Sequence, residues 1–366
     1  EGEIYVALRR GGAIARIDLA DQSVVRLPAC AAPRGLAFDV AENKLHLACA
    51  GGELLSYDAS SDGPATRVLN LGRDLRDVMV RSDGLLVSQF RSPAVIRIDT
   101  AGQEQQRVAP RKFGVALGDN FPEQDFFAPT VAWRSQLLHD GRVMMVHQRA
   151  MVGKVGIHPK PDGGHDQSSS AYGGSNFDCG TPIVHGAVSV LDPDAPSSGD
   201  NPAHVNVGGL RGAVLPVDIA ISPSSATASL TSEDNVAIAA AGSRVVKVIP
   251  RHMLDKSDAT SECGSLGTDH VFPAQPISVA YASDAMLLIQ TRAPAALWMI
   301  ALGSDPIILF EFPEQTPRNA GHELFHARAS QHSAIACASC HPGGRDDGHS
   351  WDFEEIGLRR TQSLVG

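Results

Sequence analysis

The fold is decided by a stretch that reads Arg34-Gly-Leu-Ala-Phe-Asp39, Lys44-Leu-His-Leu-Ala-Cys49, Glu53-Leu-Leu-Ser-Tyr-Asp58 and Thr66-Arg-Val-Leu-Asn-Leu71. Each of these segments has the length of a β-strand and is rich in apolar residues. Gly-Gly or Ser/Asp/Gly turns separate them. The stretch therefore predicts four antiparallel strands joined by short turns.

The same arrangement repeats along the chain with a period of about 30 to 45 residues. The next unit consists of Asp77-Val-Met-Val80, Gly84-Leu-Leu-Val-Ser88, Ala94-Val-Ile-Arg-Ile-Asp99 and Gln106-Arg-Val108. Comparable units follow at 129–207, 216–270 and 276–313, while residues 3–28 supply three strands with no obvious first one. We therefore count six blade-like units.

Four-stranded units at this spacing are typical of a β-propeller, because each blade packs only on its neighbours. The sequence predicts an all-β fold, with a β-propeller of six or seven blades over residues 1–313 and a short, mainly helical c-type cytochrome segment after it. A β-sandwich is the alternative, but it does not explain why the third strand repeatedly ends in aspartate. These aspartates are Asp18, Asp58, Asp99 and Asp192, and turn formation is their simplest role.

The composition narrows the possible partners. The 35 Gly and 23 Pro among 366 residues agree with many turns. The 31 Lys and Arg residues against 41 Asp and Glu residues give a formal charge of -10. This charge argues against a nucleic-acid surface and against docking on anionic lipid, and it favours a small, neutral or basic partner. No run approaches the roughly 18 apolar residues that a membrane span needs.

A long insertion at about 151–182 interrupts the unit at 129–207 and is rich in Gly, Ser and Asp. Loops of this length in compact domains are usually functional or disordered. Four histidines around it, His147, His158, His165 and His185, could supply a metal site. No two of them have the spacing of ligands on a helix or tight turn, so loop histidines are the simpler interpretation.

Four of the six cysteines are disulfide candidates. Sequence order favours Cys30 with Cys49 and Cys179 with Cys263 among the three possible connectivities, and four buried free thiols are the alternative. If either pair is closed, the protein belongs in an oxidising compartment. The sequence opens at Glu1 without a leader, so we expect a periplasmic, extracellular or cell-surface protein with its signal removed, or a trimmed chain.

The pattern changes after Pro313, where we place a second domain over residues 314–366. The run Ala320-Gly-His-Glu-Leu-Phe-His-Ala-Arg-Ala-Ser330 lacks strand alternation and predicts a helix with Leu324 and Phe325 facing inward. A segment of about fifty residues is too short for an independent core without a covalent staple or a cofactor.

That segment contains the strongest chemical signal in the chain. Cys337-Ala-Ser-Cys340-His341 is a C-x-x-C-H motif, in which two thiols add to the vinyl groups of haem and the histidine becomes the proximal iron ligand. The alternatives are a redox disulfide and half of a zinc site. The first needs a βαβ context, and the second needs further ligands that the sequence does not supply. We therefore predict one covalent haem c.

The motif stands among further segments that occur close together and in order: Gly321-His-Glu-Leu-Phe-His326, Ile335-Ala-Cys-Ala-Ser-Cys-His-Pro-Gly-Gly344, Asp347-Gly-His-Ser-Trp351 and Arg359-Arg-Thr-Gln-Ser-Leu364. Together they resemble the N-terminal haem half of the bacterial di-haem cytochrome c peroxidase and MauG-type family. The repeats before them resemble YVTN-type or quinoprotein-amine-dehydrogenase-like propellers, which often precede such domains.

The resemblance implies a low-potential haem at which peroxide reacts, and a second haem domain that receives or stores electrons. This chain has one C-x-x-C-H motif and stops at Gly366, where the family's polypeptide continues. We therefore expect a second haem in a longer native protein. Two-electron peroxide reduction would need that domain, which is missing from this chain.

The sequence offers several candidates for the sixth iron ligand. His349 lies in a Gly-His-x-Trp context like that of the family's distal histidine, although the loop before it is shorter here. Eight residues of extended chain after His341 could reach the opposite haem face, at about 3.3 Å per residue. The alternative is that His349 is a loop histidine that binds no iron, and His326 and His332 are further candidates for the ligand.

Other side chains of the segment have two possible roles each. Trp351 is either an aromatic wall of the haem pocket or an electron relay. Arg359 and Arg360 could pair with haem propionates or be solvated basic residues.

These observations support competing functions. One is an exported redox enzyme, peroxidase-like or MauG-like, in which the propeller docks a redox partner protein or presents a substrate to a small oxidant such as peroxide. Another is a non-catalytic propeller binding protein with a haem appendage. A third, a metal- or quinone-dependent propeller dehydrogenase, has only the scattered His147, Arg149 and His185 in its favour.

Overall fold

The computed structural model describes residues 2–116, 124–155, 183–195, 204–210, 212–223, 235–254, 267–313, 319–328 and 335–365. The chain divides into two compact units, Glu1–Ala109 with Leu191–Ala203, and Pro110–Val190 with His204–Gly366. The expected boundary after residue 313 stays a prediction.

The first unit contains three antiparallel sheets whose strands pair in chain order. Their strands are β1 (Glu3–Leu8), β2 (Ala13–Asp18) and β3 (Val24–Pro28); β4 (Pro33–Asp39), β5 (Lys44–Cys49), β6 (Glu53–Asp58) and β7 (Arg67–Asn70); and β8 (Leu75–Arg81), β9 (Gly84–Gln89), β10 (Ala94–Asp99) and β11 (Glu104–Val108).

The second unit contains three more sheets of this kind, the first with an additional strand and an interruption. Their strands are β12 (Phe113–Ala116), β13 (Gln124–Leu137), β14 (Val143–Met151), β16 (Val184–Leu191) and β17 (His204–Leu210); β18 (Pro216–Ile221), β19 (Asn235–Ala240), β20 (Val245–Pro250) and β21 (Thr268–Val271); and β22 (Pro276–Ser283), β23 (Met286–Arg292), β24 (Ala295–Ala301) and β25 (Ile307–Glu311). A short helix, α1 (Arg251–Leu254), follows β20.

The described residues thus form six up-and-down antiparallel sheets, one for each of the six blade-like units counted in the sequence. The predicted all-β, β-propeller fold class is confirmed. Within the described residues, no helix combines the length and the apolar character that crossing a membrane would require.

The middle strands of the second sheet are buried on both faces. Leu45 and Leu47 of β5 pack with Ile14 from the first sheet, whereas Ala48 of the same strand packs with Leu75 of the third. Successive residues of β5 therefore enter two different cores. This is why the strand is a nearly continuous apolar run rather than a strict alternation of apolar and polar residues.

The first strands of the second and third sheets approach closely at Gly35. A Cβ atom on Gly35 would lie 2.5 Å from the carbonyl oxygen of Arg76 and 2.6 Å from the Cα atom of Asp77. Only glycine fits β4 against β8 at this point without moving the backbone.

The aspartates that recur after third strands form turns. In Asp18, Asp58 and Asp192 the Oδ1 atom accepts a hydrogen bond from the backbone N–H two residues later, at 2.7 to 2.9 Å. Asp99 accepts one from the N–H of Gln103 at 2.8 Å. The first three are Asx turns, and all four bonds support the reversal of the chain between strands, which explains the periodic aspartate without a catalytic role.

A disulfide joins Cys30 to Cys49, with an S–S distance of 2.06 Å and a Cα–Cα distance of 6.2 Å. It links the connection before β4 to the end of β5, and this is the pairing that sequence order favours. The other candidates, Cys179 and Cys263, lie outside the described residues.

We predict that the double variant Cys30→Ala/Cys49→Ala loses about 3 kcal/mol of unfolding free energy, because the bond closes a loop over a sequence separation of 19 residues. Urea unfolding under non-reducing conditions measures this, and wild type with reductant is the control. An unchanged unfolding midpoint would show that the bond does not form in solution.

Candidate functional site

The described residues after 313 form two short helices and a β-hairpin. The helices are α2 (Ala320–His326) and α3 (Cys337–Cys340), a 3-10 turn follows at Pro342–Gly344, and the hairpin strands are β26 (Ser350–Phe353) and β27 (Gly357–Arg360). The helices agree with the expected helical character, but the hairpin was not expected from the sequence.

The hairpin extends a short strand at the start of the 151–182 insertion. β15 (Lys154–Val155) pairs with β26 in parallel, with Lys154 opposite Asp352 and Val155 opposite Phe353. The N–H of Glu354 also donates to the carbonyl of Val155 at 3.0 Å. These backbone bonds join the hairpin to β15 in a separate three-stranded sheet.

Trp351 is the centre of the apolar contact between this segment and the fourth sheet. It is 4% exposed and packs in one cluster with Phe127, Met151, Val155 and Cys340. Its indole Nε1–H donates to the hydroxyl of Thr361 at 2.9 Å, so the ring is buried without leaving its donor unpaired.

A buried glutamine connects α3 to the same sheet. The amide Nε2 of Gln148 donates to the carbonyl of Ser339 at 2.7 Å, and its Oε1 accepts from the indole N–H of Trp133 at 2.8 Å. Gln148 is 2% exposed and Ser339 is 3% exposed. Because both partners are buried, the bond ties the helix that carries the cysteines directly to β14.

The two thiols of the C-x-x-C-H motif are free and stand one helical turn apart. Cys337 opens α3 and is exposed, whereas Cys340 closes it and is half-buried against the Trp351 cluster. The N–H of His341 donates to the carbonyl of Cys337 at 3.0 Å, so the histidine continues from the same turn.

A backbone carbonyl orients the ring of His341. Its Nδ1 lies 3.0 Å from the carbonyl oxygen of Gln362. Since a carbonyl only accepts, Nδ1 carries the proton and the lone pair is on Nε2. A histidine oriented in this way by a second contact is the usual arrangement for a metal ligand.

The alternatives considered for the motif fit less well. Burial, together with the smaller effects of Asp347 and Cys337, raises the pKa of the Cys340 thiol to about 12. Thiol-disulfide catalysis needs a lowered thiol pKa instead. Within the ranges that the structure describes, no three His, Cys, Asp or Glu side chains form a group suited to a metal ion.

His349 is half-buried beside Trp351. Its ring meets the indole edge-on, with centroids 4.5 Å apart, and its Nε2–H donates to the carbonyl of Met151 at 2.8 Å. To bind iron through Nε2, His349 would have to release this carbonyl. Its role as distal ligand stays a prediction.

Arg359 and Arg360 lie on the exposed strand β27. One guanidinium N–H of Arg360 donates to Asp346 at 3.3 Å, while Arg359 donates to its neighbouring carbonyl of Leu358 at 2.8 Å. Asp347 differs from these exposed groups because it is 1% exposed. Its Oδ1 accepts from the N–H of His349 at 2.9 Å, and its Oδ2 has no partner among the described residues.

The helix α2 corrects one expectation. Leu324 was expected to face inward but is 75% exposed. His322 and His326 occupy the inner side instead, with ring centroids 3.9 Å apart, and Glu323 lies 3.9 Å from Arg244. The packed face therefore passes through residues 322 and 326, and Leu324, two residues from each, points away from it.

The remaining histidine candidates do not converge on a metal site in the described residues. His326 donates from Nδ1 to the carbonyl of His322 at 2.9 Å. His147 is fully buried, with Nε2 2.8 Å from the hydroxyl of Ser189 and Nδ1 2.9 Å from the carbonyl of Gln148. Both ring nitrogens are therefore used in hydrogen bonds inside the core. His158, His165 and His332 lie outside the described residues.

Sequence reasoning missed Gln148 and Gln362, which hold the motif in place. Gln148 stands in an apolar strand, where a buried polar residue predicts a hydrogen-bonded role, so its own position carried a signal. Gln362 acts through its backbone carbonyl, and such a contact cannot be predicted from the type of residue.

No protein-family model and no curated protein sequence matches this chain. Among solved structures it is similar to hydrazine synthase of Kuenenia stuttgartiensis, with 12% identity, a TM-score of 0.49, and coverage of 83% of this chain and 93% of that chain. It is also similar to a chain of the mitotic checkpoint complex, with 12% identity, a TM-score of 0.49, and coverage of 86% and 76%. Neither likeness assigns a function.

We predict that Gln148→Met lowers the unfolding free energy by about 1–3 kcal/mol and loosens α3, because the buried carbonyl of Ser339 loses its donor. Hydrogen exchange of residues 335–342 measures the loosening. Gln136→Met is the matched control, since Gln136 also donates to a backbone carbonyl, that of Ile219 at 2.7 Å, but does not contact α3. Equal exchange in the two variants would contradict the assignment.

A second prediction concerns pH. Burial and, to a smaller extent, the charge of Arg149 lower the pKa of His147 to about 3, against the opposing effect of the hydrogen bond to the Gln148 carbonyl. The unfolded chain, with an ordinary histidine pKa near 6.5, therefore binds a proton that the folded chain does not, and stability falls as the pH drops from about 6.5 toward 3. We expect the stability advantage of wild type over His147→Gln to shrink by about 1–2 kcal/mol between pH 7.5 and 5. Urea unfolding at both values checks this, and a constant difference would refute it.

Proposed function

We propose that this chain is a c-type haem protein, in which Cys337 and Cys340 hold haem through thioether bonds and His341 binds its iron through Nε2. The observation that carries the proposal is the contact of His341 with Gln362, in which Nδ1 lies 3.0 Å from the backbone carbonyl oxygen and Nε2 is left for a metal ion. Free thiols one turn apart before that histidine supply the two attachment points.

Haem bound here would supply one-electron redox chemistry. The chain's own residues would orient and shield it. Gln362 holds His341, Trp351 contributes an aromatic wall, and Arg359 and Arg360 offer exposed guanidinium groups that suit propionates. His349 is the proposed distal ligand, and it would exchange the carbonyl of Met151 for iron.

We further propose that the protein is a redox enzyme of the peroxidase-like, di-haem cytochrome c peroxidase or MauG type. The support is the order of the sequence segments from Gly321 to Leu364. In this proposal the propeller docks a redox partner protein or presents a substrate, peroxide is the candidate oxidant, and a second haem belongs to a longer native protein. The disulfide between Cys30 and Cys49 supports export to an oxidising compartment.

The test uses the full chain, exported in a host that carries the c-type haem maturation machinery. A haem stain that survives a denaturing gel is expected from wild type and absent from Cys337→Ala/Cys340→Ala. The matched control is Cys30→Ala/Cys49→Ala, which removes two thiols elsewhere and is expected to keep the stain. Absence of covalent haem from correctly matured wild type would overturn the proposal.

Spectra of the same sample separate the finer alternatives. A ferric spectrum that responds to stoichiometric peroxide supports the peroxidase-like assignment, whereas a covalent haem inert to peroxide restricts the function to electron transfer or partner binding. A low-spin ferric spectrum that becomes high-spin in His349→Ala supports His349 as the distal ligand, and an unchanged spectrum removes it.

A further inference from the structure

A small cavity lies in the second unit, between α2 and the fifth and sixth sheets. Arg244, Gln275 and Arg292 line it from the sheets, and His322 and Glu323 line it from the helix. Its volume is about 20 Å³. A water molecule needs roughly 10–15 Å³ of such space, so this cavity, which we call the α2 cavity, has room for one small molecule or ion.

Backbone contacts fix the helix over the cavity. The N–H of Arg328, just after α2, donates to the carbonyl of Gly242 at 3.0 Å. A Cβ atom on Gly242 would lie 3.0 Å from the carbonyl oxygen of His326, so only glycine lets the helix end approach this closely. Arg244 follows in the same turn, between β19 and β20.

Gln275 places an unused hydrogen-bond donor at the cavity. The residue is 5% exposed, and its Nε2 atom is buried with no hydrogen-bond partner among the described residues. Its backbone carbonyl accepts from the N–H of Arg292 at 3.0 Å, so the two residues stand side by side. Because a buried donor without an acceptor is costly, we expect the cavity to hold an acceptor.

Arg292 places a positive charge on the same side. Its charge acts on the rings of His322 and His326, which locates its guanidinium group next to α2. Within the described part of the chain it forms no ion pair with a carboxylate. Burial, together with smaller effects of His326 and Arg292 and against the opposing effect of Glu323, lowers the pKa of His322 to about 4. The His322 ring is therefore neutral at pH 7.

The second arginine of the lining has a distant carboxylate. The Nη2 atom of Arg244 lies 3.9 Å from Glu323, and its Nη1–H donates to the carbonyl of Pro273 at 3.3 Å. Two arginines against one glutamate leave the lining with a single net positive charge. An occupant with one negative charge would balance it.

We propose that the α2 cavity binds a small monovalent anion, of the size of chloride or formate, between the guanidinium group of Arg292 and the Nε2–H of Gln275. Both groups only donate hydrogen bonds, so they match an occupant that only accepts. The volume excludes a larger oxyanion such as sulfate. The site uses no residue of the C-x-x-C-H motif, so it extends beyond the proposed haem function and does not depend on it.

The test is chloride-35 nuclear magnetic resonance of the full chain, exchanged into gluconate buffer and titrated with chloride at constant ionic strength. We expect a saturable broadening of the chloride line that formate reverses and sulfate does not. In Arg292→Gln the affinity is expected to be weaker by about tenfold or more, because charge-assisted donors are lost. Arg67→Gln is the matched control, since it removes the same charge from an arginine that donates to the carbonyl of Thr100 in the first unit.

Two outcomes would overturn the proposal. One is the absence of saturable broadening with wild type, which would mean that the cavity holds only water. The other is unchanged affinity in Arg292→Gln.

A second variant keeps the test valid if Arg292→Gln fails to fold. Gln275→Met has nearly the same shape and removes a donor that has no described protein partner, so in gluconate buffer it is expected to retain the urea unfolding midpoint of wild type. It is also expected to weaken chloride binding, and an affinity equal to that of wild type would refute the site.

Discussion

Burial of both faces of middle strands, as in the second sheet, is the constraint on which the first unit depends. A strand such as β5, with Leu45 in one core and Ala48 in another, has no solvent face and cannot be stable in an isolated sheet. The second sheet is therefore stabilised by the first and third sheets that pack on it. The tight contact at Gly35 is the cost of this packing, because two first strands must approach until no side chain fits between them.

The same constraint explains the behaviour of the segment that carries the C-x-x-C-H motif. Two short helices and a hairpin cannot enclose a core of their own. The segment instead places Trp351 in an apolar cluster with Phe127 and Val155 and adds a strand beside β15. Its cysteines and histidine thus acquire a fixed position from the fourth sheet, through Gln148 in particular.

Much of the fold could be predicted from the sequence, because strands of this kind leave a periodic pattern of apolar runs and turn residues. The four-strand units and the turn role of Asp18 and Asp58 are of this type. The prediction that Leu324 faces inward was wrong, because the sequence does not tell which side of a seven-residue helix packs on the rest of the protein. His322 and His326 lie on that side.

The chemistry of the site could be predicted from Cys337, Cys340 and His341, but the contacts that hold these residues in place could not. Every residue has a backbone carbonyl, so the contact made by the carbonyl of Gln362 cannot be predicted from residue type. The pairing of β15 with β26 joins segments far apart in the sequence and could not be predicted either.

The position of Cys340 has a consequence for the order of assembly. In the folded protein this thiol is half-buried against the cluster around Trp351, whereas Cys337 is exposed. Any enzyme that modifies both cysteines in one operation has to reach them before the hairpin docks on β15. Biogenesis would then be sequential: covalent chemistry on an open segment comes first, and closure onto the sheet afterwards protects the finished product.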